Sequence, residues 1–411
     1  MASVEKRIQE EILRDLDMTR EISDEELLGI IRQKICDVGK GEYLSIAYRM
    51  ELEHRIFYGL RRLDVLEDLL ADDTITEIMV NGPDQIFIER NGCLEETKYH
   101  FSSNEKLDDV IQRIASANNK MANTSHPIVD TRLADGSRVN MVLAPIAVDH
   151  SVLSIRKFPK EQITMEKLIA WQALSQEAAD FICQLVQSGY NIFVSGGTGS
   201  GKTTFLNAMS EFIPKDQRVI TIEDSAELQM SSVPNLVRLE ARDATMEGKL
   251  QVSIRDLVRT SLRMRPDRIV VGECRGVEAI EMLQAFNTGH DGSLSTGHAN
   301  SCKDMLSRLE TMVLMGMELP LSAIRSQIAS GIDILIHLGR LRDKSRKVLK
   351  IVEIAGMEQG EVMLHELFRY EESGEEARHV RGTLMRTGRL MHTEKCERAG
   401  MNPEKEGSSG L

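Results

Sequence analysis

The sequence predicts an α/β chain: a phosphate-loop domain on a parallel-rich sheet, preceded by an α+β domain and an N-terminal helical extension. Three observations carry this. From about residue 190 to 340, apolar strand candidates alternate with helical patterns, the signature of crossover connections between parallel strands. One of these junctions, "FVSGGTGSGKTTFLNAM" (Phe193–Met209), sets a glycine-rich run between a strand and a helix. Upstream, "TEIMVNGPDQIFIERNGCLEETKYHF" places two Asn-Gly turn signals between apolar runs, which reads as a meander.

Taken in order, residues 1–70 read as helical. "SDEELLGIIRQKI" opens with Ser23 and carries Glu26 three positions later, a capping box before an apolar-periodic run. A further helix is expected over "GEYLSIAYRMELEHRIFYGL". Residues 71–158 form the α+β domain: the meander, the helix "NEKLDDVIQRIASANN", the hairpin "VDTRLADGSRVNMVLAP" and the strand "HSVLSIRKF". Residues 159–170 are a linker merging into a helix, and 171–395 the phosphate-loop domain. The stretch 396–411 is a polar, glycine-rich tail expected to be disordered. Strand candidates in the phosphate-loop domain are "NIFVSG", "RVITIED", "LVRLEAR", "RIVVGE" and "GSLSTGHA". After them "DILIHLGRLRDKSRKVLKIVEI" returns to hairpin chemistry. Its basic run reads as a solvated turn, with an anionic-lipid contact as the weaker alternative.

Composition narrows the function. The 411 residues carry a formal net charge of −13 and 4% aromatics, against a basic nucleic-acid stripe and against base-stacking platforms. No nucleic-acid partner is expected. The six cysteines are scattered without a C-x-x-C pair, as in reduced cytosolic proteins. The N-terminus lacks an apolar signal region and no run approaches 18 apolar residues, so the expected location is cytoplasmic, without a transmembrane segment.

The glycines have a physical explanation. "GGTGSGKT" fits G-x-x-x-x-G-K-[ST] over Gly196, Gly197, Thr198, Gly199, Ser200, Gly201, Lys202 and Thr203, with Thr204 next. Glycines let successive backbone N–H groups turn inward around phosphate oxygens, beside the positive end of the following helix. Lys202 would reach the β- and γ-phosphates of ATP and Thr203 would hold Mg2+. Acidic groups follow at strand ends: Glu223, Asp224 and Glu227 after "RVITI", and Glu273 after "DRIVVG", where Gly272 stands in the usual place of a Walker-B aspartate. Hydrolysis needs a held water and a metal bridging β- and γ-oxygens. Glu223 is expected as the base and Glu273 on the Mg2+ side, with the swapped assignment open.

"GGTGSGKTT", "ITIEDSAEL", "SLRMRPDRIVVGECRG" and "TGHDGSLSTGHANS" together resemble the boxes of the type II/IV secretion ATPase superfamily. "RLADGSRVNMVLAPI" and "LSIRKF" are similar to its CpaF/TadA-type branch, the ATPases of tight-adherence pilus assembly. The resemblance covers about residues 70–390. It implies a RecA-like motor domain hinged to an N-terminal domain, a homo-oligomeric ring that is most often a hexamer, and work on inner-membrane pilus or secretion platform proteins. It places Glu223 and Asp224 on the Asp box, Glu273 on the Walker-B glutamate and His298 on the His box. The protein is then expected to be peripheral at the inner membrane through partners.

Two further groups of residues stay open at this level. A histidine near a γ-phosphate can report its presence, a role suited to His298, whereas His290 serves equally well as a structural hydrogen-bonding group. Zinc on His290, His298 and Cys302 is disfavoured because the spacing matches no zinc pattern. For positive charge at the γ-phosphate, Arg132, Arg138 and Arg156 of the α+β domain are the first candidates, and Arg263 and Arg265 at a subunit interface the second.

Overall fold

The computed structural model describes residues 4–15, 23–41, 43–90, 92–158, 162–242, 251–376 and 379–402. Asn91, the 159–161 part of the linker and the 403–411 part of the tail lie outside the described residues. The chain forms two compact units, Met1–Lys160 and Glu161–Leu411.

The first unit opens with helices α1 (Val4–Asp15), α2 (Asp24–Val38), α3 (Ile46–Arg61) and α4 (Leu66–Ala71). The Ser23 hydroxyl accepts from the Glu26 N–H and Ser45 does the same for Tyr48, satisfying amides that have no helical partner. Ile8, Ile12, Leu27, Ile31, Ile35, Leu52 and Ile56 bury one face each of α1–α3 in a common cluster. The sheet that follows comprises β1 (Ile75–Val80), β2 (Ile86–Arg90), β3 (Cys93–Glu96), β4 (Ile128–Arg132), β5 (Arg138–Val142) and β6 (Val152–Arg156). Helix α5 (Asn104–Ala117) is inserted after β3. The strand order is β3-β2-β1-β6-β5-β4, every pair antiparallel. Alternate residues such as Ile78, Val80, Val139, Met141, Leu153 and Ile155 pack with Leu107, Val110 and Ile111 of α5.

The second unit starts with α6 (Met165–Ala170), α7 (Gln176–Gln187), β7 (Ile192–Gly196), α8 (Lys202–Ser210), β8 (Arg218–Glu223), β9 (Asn235–Glu240) and α9 (Ile254–Ser261). Then come β10 (Arg268–Val271), α10 (Ala279–Phe286), β11 (Leu294–Gly297), α11 (Cys302–Gly316) and α12 (Leu321–Gly331). The chain ends in β12 (Ile334–Arg340), β13 (Arg346–Glu358), β14 (Glu361–Glu376), β15 (His379–Arg386) and α13 (Glu394–Arg398). Nine strands lie in the order β15-β14-β13-β12-β7-β11-β10-β8-β9. From β12 to β9 the pairs are parallel, and from β12 to β15 antiparallel.

Side-chain alternation divides the core into two layers. Ile192, Val194, Val219 and Val270 face α6–α8, whereas Phe193, Ile220, Ile222, Ile269 and Val271 face α9–α12. Strands buried on both faces explain the near-continuous apolar runs that mark them in the sequence. Two stretches depart from the expectations. Met165 and Leu168, within the expected linker, are core residues of the second unit, and so is Cys396, at the start of the expected tail. The Lys395 ammonium beside it is paired with Asp333 at 2.7 Å and Asp291 at 2.9 Å.

Candidate nucleotide site at the strand ends

Because β7, β11, β10 and β8 run parallel, their carboxyl ends open on one edge of the sheet, the usual place for a ligand in an open α/β sheet. The loop Gly197–Gly201 leaves β7 there and enters α8. Gly199 (φ 69°) and Gly201 (φ 94°) are left-handed, a conformation that glycine adopts without steric cost. Gly196 is required for a different reason: a Cβ there would stand 2.6 Å from both the Leu338 carbonyl oxygen and the Ser200 hydroxyl. At Gly197 an added Cβ would meet nothing within 4 Å, so the chain itself does not demand that glycine. Lys202 is buried, and its Nζ donates to the Gly196 and Gly197 carbonyls at 3.1 and 3.0 Å. Thr203 and Thr204 occupy the first turn of α8. The Ser200 hydroxyl is buried without a hydrogen-bond partner among the described residues.

Lys202 also reaches across to β11. His298 follows the last residue of that strand. Its Nδ1 lies 3.3 Å from Lys202 Nζ, and its Nε2 lies 3.1 Å from the Glu273 carboxylate. Burial, and then the neighbouring ammonium, push the imidazole below its ordinary pKa, against the opposing pull of Glu273. A neutral ring between a donor-only and an acceptor-only partner has one satisfactory tautomer: Nδ1 accepts from Lys202, and Nε2–H donates to Glu273. The expectation that "RIVVGE" is strand to its end is corrected: β10 stops at Val271, and Gly272 and Glu273 belong to the following loop. That leaves the Glu273 carboxylate about one-third exposed at the mouth of the site.

Glu223 has the opposite environment. It ends β8, two strands further from β7 than β11 is, and is 4% exposed. Its Oε1 accepts from the Glu227 and Leu228 amides at 2.8 and 2.9 Å, which holds the 224–228 segment in place. Oε2 is buried without a partner among the described residues. The side chain lies over Gly272, where an added Cβ would meet its Cγ at 2.7 Å. An aspartate at 272 would therefore collide with Glu223, which is the physical reason for the departure noted in the sequence. Asp224 accepts from Arg275, an ion pair at the surface.

Burial pushes the Glu223 carboxyl up to about 7, partly offset by the two amides. Between pH ~4.5 and ~7 the folded chain therefore keeps a proton that the unfolded chain has released. Stability from this group is greatest below pH ~4.5 and is lost as pH rises towards 7, by up to about 3 kcal/mol. Glu223→Gln should remove that slope: its melting temperature relative to wild type should rise from pH 5 to pH 8. Parallel melting curves for the two proteins across that range would contradict it.

The remaining candidates separate cleanly. In the first unit, Arg132 pairs in register with Arg138 and Arg138 with Arg156, so three guanidinium side chains lie side by side on one face of β4, β5 and β6. Arg263 and Arg265 precede β10, at the end of the sheet away from the phosphate loop of their own chain. His290 precedes β11, also at that far end, with its Nδ1 3.1 Å from the Ala285 carbonyl oxygen. Cys302 is buried at the start of α11. One residue of the basic run was misread: Arg346 is not merely solvated, because its Nε donates to the Gly199 carbonyl at 2.9 Å. No local signal marks it, since the contact depends on β12 lying alongside β7.

Comparison with known proteins supports a common origin for this arrangement. Residues 60–402 match the family described as type II/IV secretion system protein. A putative conjugal transfer protein of Mycobacterium tuberculosis (strain H37Rv) is 36% identical over 303 residues, covering 72% of this chain and 85% of the relative. The type IV secretion system protein VirB11 of Brucella suis is 34% identical over 304 residues, covering 67% and 84%. Among solved structures, the pilus retraction motor PilT with bound ADP shares the fold, with a TM-score of 0.53 and 19% identity, covering 82% of this chain and 86% of that one.

Proposed function

Because the chain belongs to the type II/IV secretion system protein family, we propose that it is an ATP-hydrolysing motor of the CpaF/TadA-type branch, driving tight-adherence pilus assembly or secretion. The observation that carries this is the contact chain Lys202–His298–Glu273, which joins the phosphate loop to a carboxylate at the same edge of the sheet.

Each group has a job. Backbone amides of Gly197–Lys202 and the start of α8 bind the phosphates, and the Lys202 ammonium neutralises charge at the β- and γ-oxygens. Neutral His298 links that ammonium to Glu273, so a phosphate that draws Lys202 away changes the partner of the ring; this is the sensing role for His298. The geometry favours the swapped carboxylate assignment. Glu273, half-buried and in the contact chain, orients the attacking water, while Glu223, held by two amides against Gly272, positions the Walker-B loop. Mg2+ suits the Thr203 hydroxyl, a hard oxygen ligand, since the ion usually keeps several waters and takes substrate phosphates beside its protein ligands. Among the described residues no group of three or more His, Cys, Asp or Glu side chains forms a closed cage that would compete for it. When bound, the ion would neutralise charge developing on the phosphates.

The partners in this reading are further copies of the chain in a hexameric ring, and platform proteins of the inner membrane. No helix among the described residues is long and apolar enough to cross a membrane itself. The conjugal-transfer name of the mycobacterial relative keeps a second reading open, work on a DNA-transfer apparatus. ATPase activity stimulated by DNA would favour it; the net charge of −13 argues for no stimulation. The deciding experiment concerns the carboxylates. Glu273→Gln should bind Mg-ATP as wild type does and turn over at least ~100-fold more slowly. If Glu223→Gln shows that pattern instead while Glu273→Gln loses Mg2+ affinity, the assignment expected from the sequence is restored.

A further inference from the structure

The hairpin of β12 and β13 carries more than a turn. β12 runs parallel to β7 with Leu338 opposite Gly196, so the hairpin passes the start of the phosphate loop. Its turn is built rather than loose. Leu341 N–H donates to the Ser345 carbonyl at 2.8 Å, and Asp343 accepts from the Ser345 amide at 2.9 Å and its hydroxyl at 2.6 Å. The other Asp343 oxygen accepts from the Val380 amide of β15 at 2.8 Å. On the next residue of β13, the Lys347 ammonium donates to the Trp171 and Gln172 carbonyls that end α6, at 3.2 and 2.8 Å. Arg346 is thus presented by a braced strand end.

Its contact falls on an informative atom. In a trans peptide the C=O and the following N–H point to opposite sides. A hydrogen bond that holds the Gly199 carbonyl outward therefore aims the Ser200 N–H inward. The inner side is identified independently: the Ser200 amide and Lys202 Nζ both reach the Gly197 carbonyl, at 3.3 and 3.0 Å. Gly199 itself is left-handed, and glycine there resists rotation of that peptide less than any other residue would. The Arg346 Nε adds a restraint from outside the loop to the turn bond within it, with its Cδ 3.6 Å from where a Cβ of Gly201 would stand.

We propose that Arg346 is a positioning residue of the nucleotide site, holding the Gly199–Ser200 peptide so that the Ser200 amide faces bound phosphate. This rests on reading the loop as a phosphate cradle. The side chain is exposed, so its replacement leaves the core untouched. Glutamine offers a sharp test, because its Nε2 stands at the same position along the side chain as the arginine Nε. Gln keeps the donor and discards the charge; Lys keeps the charge and discards the Nε; Met discards both.

The full-length protein and the three variants would be compared for equilibrium binding of Mg-ADP and for kcat and KM with Mg-ATP. Arg346→Met should weaken Mg-ADP binding and raise KM about five- to tenfold, the loss of one charge-assisted hydrogen bond, with kcat within about twofold. Arg346→Gln should stay within about twofold of wild type on both. Wild-type binding in the Met variant would overturn the proposal. So would a Gln variant as weak as Met beside a Lys variant like wild type, since charge on the ligand would then be the effect. A wild-type protein that binds neither nucleotide overturns the phosphate-cradle reading itself, which separates the two failures.

Discussion

Lys202→Ala should abolish ATP hydrolysis while leaving the fold intact. The ammonium is buried at the start of α8, where its Nζ already spans the loop from Gly196 to Gly197 and touches His298. Removing it takes away the only cation this loop carries in its own sequence, and with it the anchor of the contact chain to Glu273. Phosphoryl transfer depends almost wholly on positioning and charge stabilisation, so the loss acts on binding and on the reaction together. Alanine is the best helix former, so α8 should still start at 202. Circular dichroism and melting temperature should match wild type, Mg-ATP affinity should fall, and turnover should drop below detection. A folded Lys202→Ala protein with normal turnover would refute the site.

The parts of this site that were legible in the sequence are those written in consecutive residues. The phosphate loop needs glycines at fixed offsets between a strand and a helix, and Gly199 and Gly201 take the left-handed conformations that only such spacing allows cheaply. A cap was legible too: Ser23 stands at the start of its helix and accepts from the Glu26 amide. Strands β7, β8 and β10 showed because burial on both faces leaves unbroken apolar runs.

What could not be read is what adjacency across the sheet creates. Arg346 lies 147 positions from Gly199, and only the parallel pairing of β12 with β7 brings them together. The roles of Glu223 and Glu273 look interchangeable as letters at strand ends. Their surroundings differ because β10 stops two residues before Glu273, while Glu223 is the last residue of its own strand and packs against Gly272. Gly272 shows the same limit from the other side: the sequence flagged it as unusual, and the Glu223 Cγ, 2.7 Å from where a Cβ at 272 would stand, supplies the cause.

Arg132→Ala and Arg138→Ala should each lower turnover on the order of 10³-fold with nucleotide binding largely kept, if the first unit supplies the charge that stabilises transfer. The strand register makes a specific case for this row. Arg132, Arg138 and Arg156 stand directly across from one another, an arrangement of like charges that costs stability in a sheet. Glu77 stands opposite Arg156 on β1. A surface that keeps such a row is suited to an anion carrying several charges, and a γ-phosphate is one. The turn between β4 and β5 is tight, with Gly136 N–H donating to the Leu133 carbonyl at 3.0 Å, so the spacing of the first two arginines is fixed by the backbone. Steady-state ATPase and Mg-ADP binding of each variant give the first answer. Near-normal turnover in both would eliminate the row and move the search to Arg263 and Arg265, whose place at the far end of the sheet requires a neighbouring subunit. Mixing Arg138→Ala subunits with Glu273→Gln subunits then assigns the geometry. A neighbour's arginine can complete an intact Glu273 site, so partial recovery means service in trans. Activity that stays absent in the mixture means each chain supplies its own, which we expect, because the row and the phosphate loop are carried by one chain.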